Sequence, residues 1–138
     1  QRKLVGMAKK AFLLVAGAAA QKYGLKLPDE QEVLGYLSDI TIEIYAMESG
    51  LLRAIKSVES VGVEESQTKI DMVRVYVNDA MKRIDDYASQ VLAAMESGDM
   101  LYIQLGALRK LSNLIPINSI DARRRIADRI IEAESYAC

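Results

Sequence analysis

The stretch EQEVLGYLSDITIEIYAMESGLLRAIKSVESV, residues 30–61, decides the fold. Its apolar positions Val33, Leu37, Ile40, Ile44, Met47, Leu51, Ala54, Val58 and Val61 step by four and three in strict alternation. A strand repeats every two residues. A helix lying nearly parallel or antiparallel to another repeats in this way. Ile42, Ile44 and Tyr45 would suit a strand locally, but the long-range period overrules them. Gly35 and Gly50 fall inside the helix, where each costs up to about 1 kcal/mol relative to Ala. Both are therefore expected to permit close helix approach.

Working outward, Gly62 breaks the chain and VEESQ is expected to begin a third helix lasting to about Ser97. Its seam is Ile70, Val73, Val77, Ala80, Ile84, Tyr87, Val91 and Ala94, again alternating three and four. Two helices of this length, each roughly 45 Å at 1.5 Å per residue, joined by a short break, predict an antiparallel hairpin. Upstream, a first helix runs from about Arg2 to Tyr23, with Gly24 placed to end it in the left-handed conformation. LKLPDE connects it to the second, Pro28 suiting a helix start and the acids suiting the positive end of the dipole. Downstream, Asp99 is an expected N-cap for a fourth helix striped by Leu101, Leu105, Leu108 and Leu111, ending near Asn113. Asn118 or Ser119 can cap a fifth, from Ile120 to about Tyr136. The expected fold is all-α: one domain over residues 1–138, an up-and-down bundle of about five helices with two long central antiparallel helices.

Composition agrees. Just over half of the 138 residues are apolar (51%) and 27% are charged, with two prolines, no tryptophan and one phenylalanine. That balance suits a helical globular domain. A net charge of −1 disfavours nucleic acid, which requires a basic face to displace counterions. The single cysteine, Cys138, permits no internal disulfide and fits a reducing compartment such as the cytoplasm. The run AFLLVAGAAA, residues 11–20, follows Lys9 and Lys10 like a signal peptide, yet lacks a cleavage context. It also falls short of the roughly twenty residues of a membrane span. The chain opens on Gln1 in a helix already under way, without initiator methionine or cap, which predicts a piece of a longer protein.

The inventory for chemistry is thin. With no histidine, Ser-His-Asp and Cys-His nucleophiles and Glu-x-x-His di-iron sites are excluded, and one cysteine builds no zinc site. No Gly-rich phosphate loop occurs. The expected catalytic, cofactor-binding and metal residues are therefore none. The carboxylate pairs Asp85/Asp86, Glu64/Glu65 and Glu132/Glu134 read as solvated surface, since neighbours in sequence do not share a helix face. Asp79 with Lys82 and Arg83, and Asp121 with Arg125, have the spacing of surface ion pairs. Arg123, Arg124 and Arg125, with Arg109, Lys110 and Arg129, are the one basic concentration. A solvated face is the plainer reading, with weak contact to an anionic membrane surface as the sharper one. Tyr36, Tyr45, Tyr76, Tyr87 and Tyr102 read as core or interface residues.

The residues 34–58, LGYLSDITIEIYAMESGLLRAIKSV, resemble the extra C-terminal region of the long-chain and very-long-chain type acyl-CoA dehydrogenases. The resemblance lies in the phrase acid, aliphatic, Tyr-Ala-Met, here Glu43-Ile44-Tyr45-Ala46-Met47, followed by an apolar turn and Arg53. FLLVAGAAAQKYG and EQEVL are similar to the lead into that region, and ESQTKIDMVRVYVNDAMKRI to its next helix. The likeness covers about Ala11 to the end. It implies a parent that removes hydrogens from the α and β carbons of a fatty acyl-CoA, passes a hydride to FAD, and serves fatty-acid β-oxidation. It also implies that the extra region packs on the catalytic part of the same chain, favours a dimer over a tetramer, and is linked to membrane association. The family's glutamate base, its FAD-binding Arg and Gln set and its Gly-rich segment have no counterpart here, so no family site residue carries over.

The resulting expectation is an accessory domain acting in assembly rather than chemistry, within a homo-oligomer. Interface candidates are Phe12, Leu13 and Val15 on the Ala-rich first helix, and Leu34, Leu52 and Ile55 beside the main seam. A free-standing helical adaptor and a peripheral membrane module are the alternatives.

Overall fold

The computed structural model describes residues 1–135, and among them every regular element is a helix. Helix α1 spans Arg2–Tyr23, α2 Gln31–Val61, α3 Gln67–Met95, α4 Gly98–Ser112 and α5 Ser119–Ala133. The all-α reading holds, and α2 and α3 form the long antiparallel hairpin. Tyr136 and Cys138 lie outside the described residues.

Local chemistry accounts for the element ends. Gly62, at φ 88° and ψ 172°, ends α2 in a conformation open essentially to glycine alone. Gly24 ends α1 at φ 54° but ψ −125°, so its φ is positive without being the left-handed helical cap. LKLPDE is the expected connector, but Pro28 does not start α2: it lies inside a 3-10 turn over Gly24–Asp29, and α2 starts at Gln31. VEESQ is mostly a turn, and α3 starts at Gln67, because Ser66 is buried and its hydroxyl donates to Ser57 Oγ at 2.9 Å. Ser97, not Asp99, is the N-cap of α4; Asp99 falls in the first turn, where its charge favours the dipole. Asn118 caps α5 as expected, accepting from Asp121 N–H.

The seams hold over most of their length. Val33, Leu37, Ile40, Ile44, Met47 and Ala54 of α2 are buried, as are Val77, Ala80, Ile84 and Val91 of α3. At the ends the seams run out: Val61 and Ala94 are exposed. The physical reason is that α3 is not half of a two-helix pair. It packs against α1, α2, α4 and α5 alike, so Met81, Ala88, Leu92 and Met95 on a second stripe are buried too. A strict heptad also drifts around a straight helix by roughly 20° per repeat, which carries burial from Ala94 toward Met95.

Helix α1 lies along the hairpin with Val5, Ala8, Ala11, Val15 and Ala19 buried at three- and four-residue steps. Small alanines there allow close approach to the hairpin. A window of 18 residues within 2–29 reaches a mean hydropathy of 1.3, so by length and composition alone this helix could cross a membrane. The uninterrupted apolar run 11–20 is itself only about half a span, as expected, and the inward stripe of the helix is used by the bundle core. Neither helical glycine is required for close approach: a Cβ at Gly50 would sit 3.5 Å from Val73 Cγ2, an ordinary van der Waals contact, and at Gly35 nothing lies within 4 Å of the same position.

Candidate interaction site

Polar order in the bundle centres on Glu43, the acid of the Glu-Ile-Tyr-Ala-Met phrase. Arg83 donates to it from Nε at 2.5 Å and from Nη2 at 2.8 Å, and Tyr76 OH donates at 2.9 Å. The Arg83 guanidinium also lies 5.6 Å from the Tyr76 ring centroid. The hydrogen bonds from Arg83 hold the Glu43 carboxyl below the usual carboxylate range, against partial burial that raises it. Arg83 is thus drawn across to α2 and not to Asp79, the partner its local spacing suggested. Lys82 keeps the i,i+3 pair with Asp79 at 3.9 Å.

A second set fixes α5, which among the described residues packs on α3 alone. Arg125 donates to both oxygens of Asp71, at 2.8 and 2.9 Å, and Arg123 pairs with Asp79. Asp71 is a 1% exposed carboxylate, held low by the Arg125 hydrogen bonds in spite of its burial. Ile117 N–H reaches the buried Asn78 Oδ1 at 3.4 Å. Two arginines of the cluster expected as a solvated face therefore pair with α3 while staying about half exposed. Asp121 did not capture Arg125 as its hydrogen-bond partner, because a buried carboxylate on α3 competes better than an exposed one on the same helix.

The interface candidates separate. Leu13 is 67% and Leu52 60% exposed, with Tyr45 of the phrase at 73%. Phe12 and Leu34 are partly buried against the core, and Ile55 is partly buried. Val15 is fully buried, so its candidacy is corrected: on α1 it shares the inward stripe, whereas Leu13 stands on the opposite side. Lys9 pairs with Glu48 at 2.6 Å, which ties α1 to α2. Tyr36 and Tyr87 pack ring on ring at 5.8 Å, while Tyr102 stays exposed. Glu64, Glu65, Asp86, Glu132 and Glu134 are exposed, as a solvated surface requires.

Two adjoining clefts open between α2 and α3. The first, about 570 Å³, has a floor of Met47, Gly50, Ala54 and Val73, with Ala46 and Tyr76 beside it. The second, about 400 Å³, is lined by Arg53, Lys56, Ser57, Ser60, Val61 and Lys69. Arg53 and Lys69 border both. Sequence reading missed these clefts, the Glu43 and Asp71 pairings and the pairing of Asp79 with Arg123, though it anticipated that of Asp79 with Lys82. The one available signal was a set of charged residues immediately beside an otherwise apolar seam.

Fold and surfaces together define a helical packing domain: among the described residues five α-helices are organised round α3, and the Glu43–Arg83 and Asp71–Arg125 pairs hold helices together. The family model described as acyl-CoA dehydrogenase, C-terminal domain, matches residues 7–110, and the chain belongs to that family. It is 42% identical over 136 residues to a probable acyl-CoA dehydrogenase of Bacillus subtilis (strain 168), covering 99% of this chain and 23% of the relative. It also resembles the crystal structure of an acyl-CoA dehydrogenase complexed with FAD from Bacillus anthracis. There the TM-score is 0.97 and the identity 43%, over 100% of this chain and 24% of the other. The chain thus spans about a quarter of the length of these relatives.

Proposed function

We propose that this domain serves assembly and stabilisation in an FAD-dependent acyl-CoA dehydrogenase of the long-chain or very-long-chain type. The parent oxidises a fatty acyl-CoA to the 2-enoyl-CoA in β-oxidation, in the cytoplasm, and the catalytic part and its FAD site belong to the same chain outside these 138 residues. The observation that carries the reading is the match, along the whole chain, to a quarter of an FAD-complexed dehydrogenase. The outward apolar residues Leu13, Tyr45 and Leu52 support the assembly role, because each leaves large apolar area in water, worth about 25 cal/mol per Å² once covered. The covering surface is the catalytic part or a second subunit of a homo-oligomer.

The test is made on the full-length parent with Leu13→Glu and Leu52→Glu. Light scattering should report loss of the native assembly, while turnover per folded active site with palmitoyl-CoA stays near the parental value. Variants that keep the assembly would remove the role.

A further inference from the structure

We propose that the two adjoining clefts between α2 and α3 form a binding site for a single-chain amphiphilic anion. Its head would be held by Arg53, Lys56 and Lys69, and its tail would lie in the apolar slot beside Gly50. This goes beyond the assembly role and does not rest on it.

The charge pattern carries the inference. Six cations of the bundle meet carboxylates: Lys9, Lys22, Lys82, Arg83, Arg123 and Arg125. Of the 18 lysines and arginines the other twelve meet none among the described residues, and three of these, Arg53, Lys56 and Lys69, border one cleft. Lys69 Nζ instead donates to Ser57 Oγ at 3.2 Å, which steadies the ammonium at the mouth. No carboxylate lines either cleft. Three converging cations with nearby Ser57 and Ser60 hydroxyls are complementary to a carboxylate or phosphate head.

The slot next to them is of opposite character. Its floor is the buried Met47 and Ala54 with Val73, and the absence of a side chain at Gly50 leaves it open. Head and tail sites share Arg53 and Lys69, so one molecule can span both. An inorganic anion would leave the slot unused, and a neutral chain would leave the cations unused. Only a molecule with both parts matches the whole lining.

The experiment uses the 138-residue chain with decyl phosphate, kept below its micelle concentration, as the probe. Binding is followed by displacement of an anilinonaphthalene sulfonate dye and by amide NMR shifts. Saturable binding is expected, with the largest shifts at Gly50, Arg53 and Val73. Hexyl phosphate should bind about tenfold or more weaker, given the gain per buried methylene. Arg53→Glu with Lys69→Glu should weaken decyl phosphate at least tenfold, and Ala46→Trp, which fills the slot and leaves the cations, should do the same with unchanged circular dichroism. Decanoate binding beside decyl phosphate would show that the site accepts either anionic head, still in support. Equal displacement by inorganic phosphate or by decanol, or shifts centred elsewhere, would overturn the site. So would binding only to phosphatidylglycerol vesicles and not to monomeric decyl phosphate, since that marks a membrane surface instead.

Discussion

Glu43 and Arg83 close on each other through two hydrogen bonds, of 2.5 and 2.8 Å, across forty positions of sequence. They join the midpoints of α2 and α3 beside the apolar seam. The acid of the family-like phrase is therefore a helix clamp. Ile44 and Met47 of the same phrase are core, and Tyr45 points out of the bundle. Glu43→Ala should destabilise the chain by about 2 to 3 kcal/mol, because it removes charge-assisted bonds and strands a half-buried guanidinium. Urea unfolding measures it. A loss under 0.5 kcal/mol would reduce the pair to surface decoration.

The same pairs predict acid sensitivity. Glu43 and Asp71 both have folded-state pKa values lowered by their arginine hydrogen bonds. A depressed carboxylate contributes its stability in full above the unfolded pKa, about 4. That contribution is lost as pH falls from there through the folded value. Stability should be level from pH 7 to 5 and fall below pH 4, and Glu43→Gln should shrink the fall. A wild-type profile flat down to pH 2.5 would contradict the assignment.

The α2–α3 seam predicts a contrast between sites. Met47→Asp or Ile84→Asp places an unpaired charge at a fully buried position, which costs several kcal/mol and unfolds a domain of marginal stability. Asp86→Asn, on the exposed side, should change stability by less than about 0.5 kcal/mol. Thermal melts of the three variants check it, and equal effects would refute the packing.

Two glycines should respond with opposite sign. At Gly50 a Cβ makes ordinary contact with Val73, so Gly50→Ala should stabilise the helix by up to about 1 kcal/mol. At Gly62, with φ 88°, Gly62→Ala should destabilise by about 1 kcal/mol or more. Denaturant midpoints measured side by side would settle the signs.

Leu13 and Val15 are two residues apart and should behave as different kinds of position. Val15→Asp should unfold the isolated chain, whereas Leu13→Glu should leave its melting temperature nearly unchanged, because only Val15 is inside the bundle. A common effect on the melt would mean that Leu13 is covered within the chain itself.

What the sequence determined by itself was the helical character, the number of helices and most of the α2 and α3 seam, from Val33 to Ala54 and from Val77 to Val91. These are legible because a 3-4 repeat and a glycine at positive φ are properties of local backbone. What only the tertiary structure decided was which faces meet. Whether Val15 or Leu13 faces inward depends on how α1 rotates against the hairpin. Whether Arg83 takes Asp79 or Glu43, and Arg125 takes Asp121 or Asp71, depends on what another helix brings within hydrogen-bond reach. Local spacing offers a solvated partner worth a few tenths of a kcal/mol, and a part-buried carboxylate across the interface outbids it. The cationic cleft beside Gly50 has the same origin. Arg53 and Lys69 are sixteen positions apart in sequence, and they become neighbours only when α2 and α3 fold back on each other.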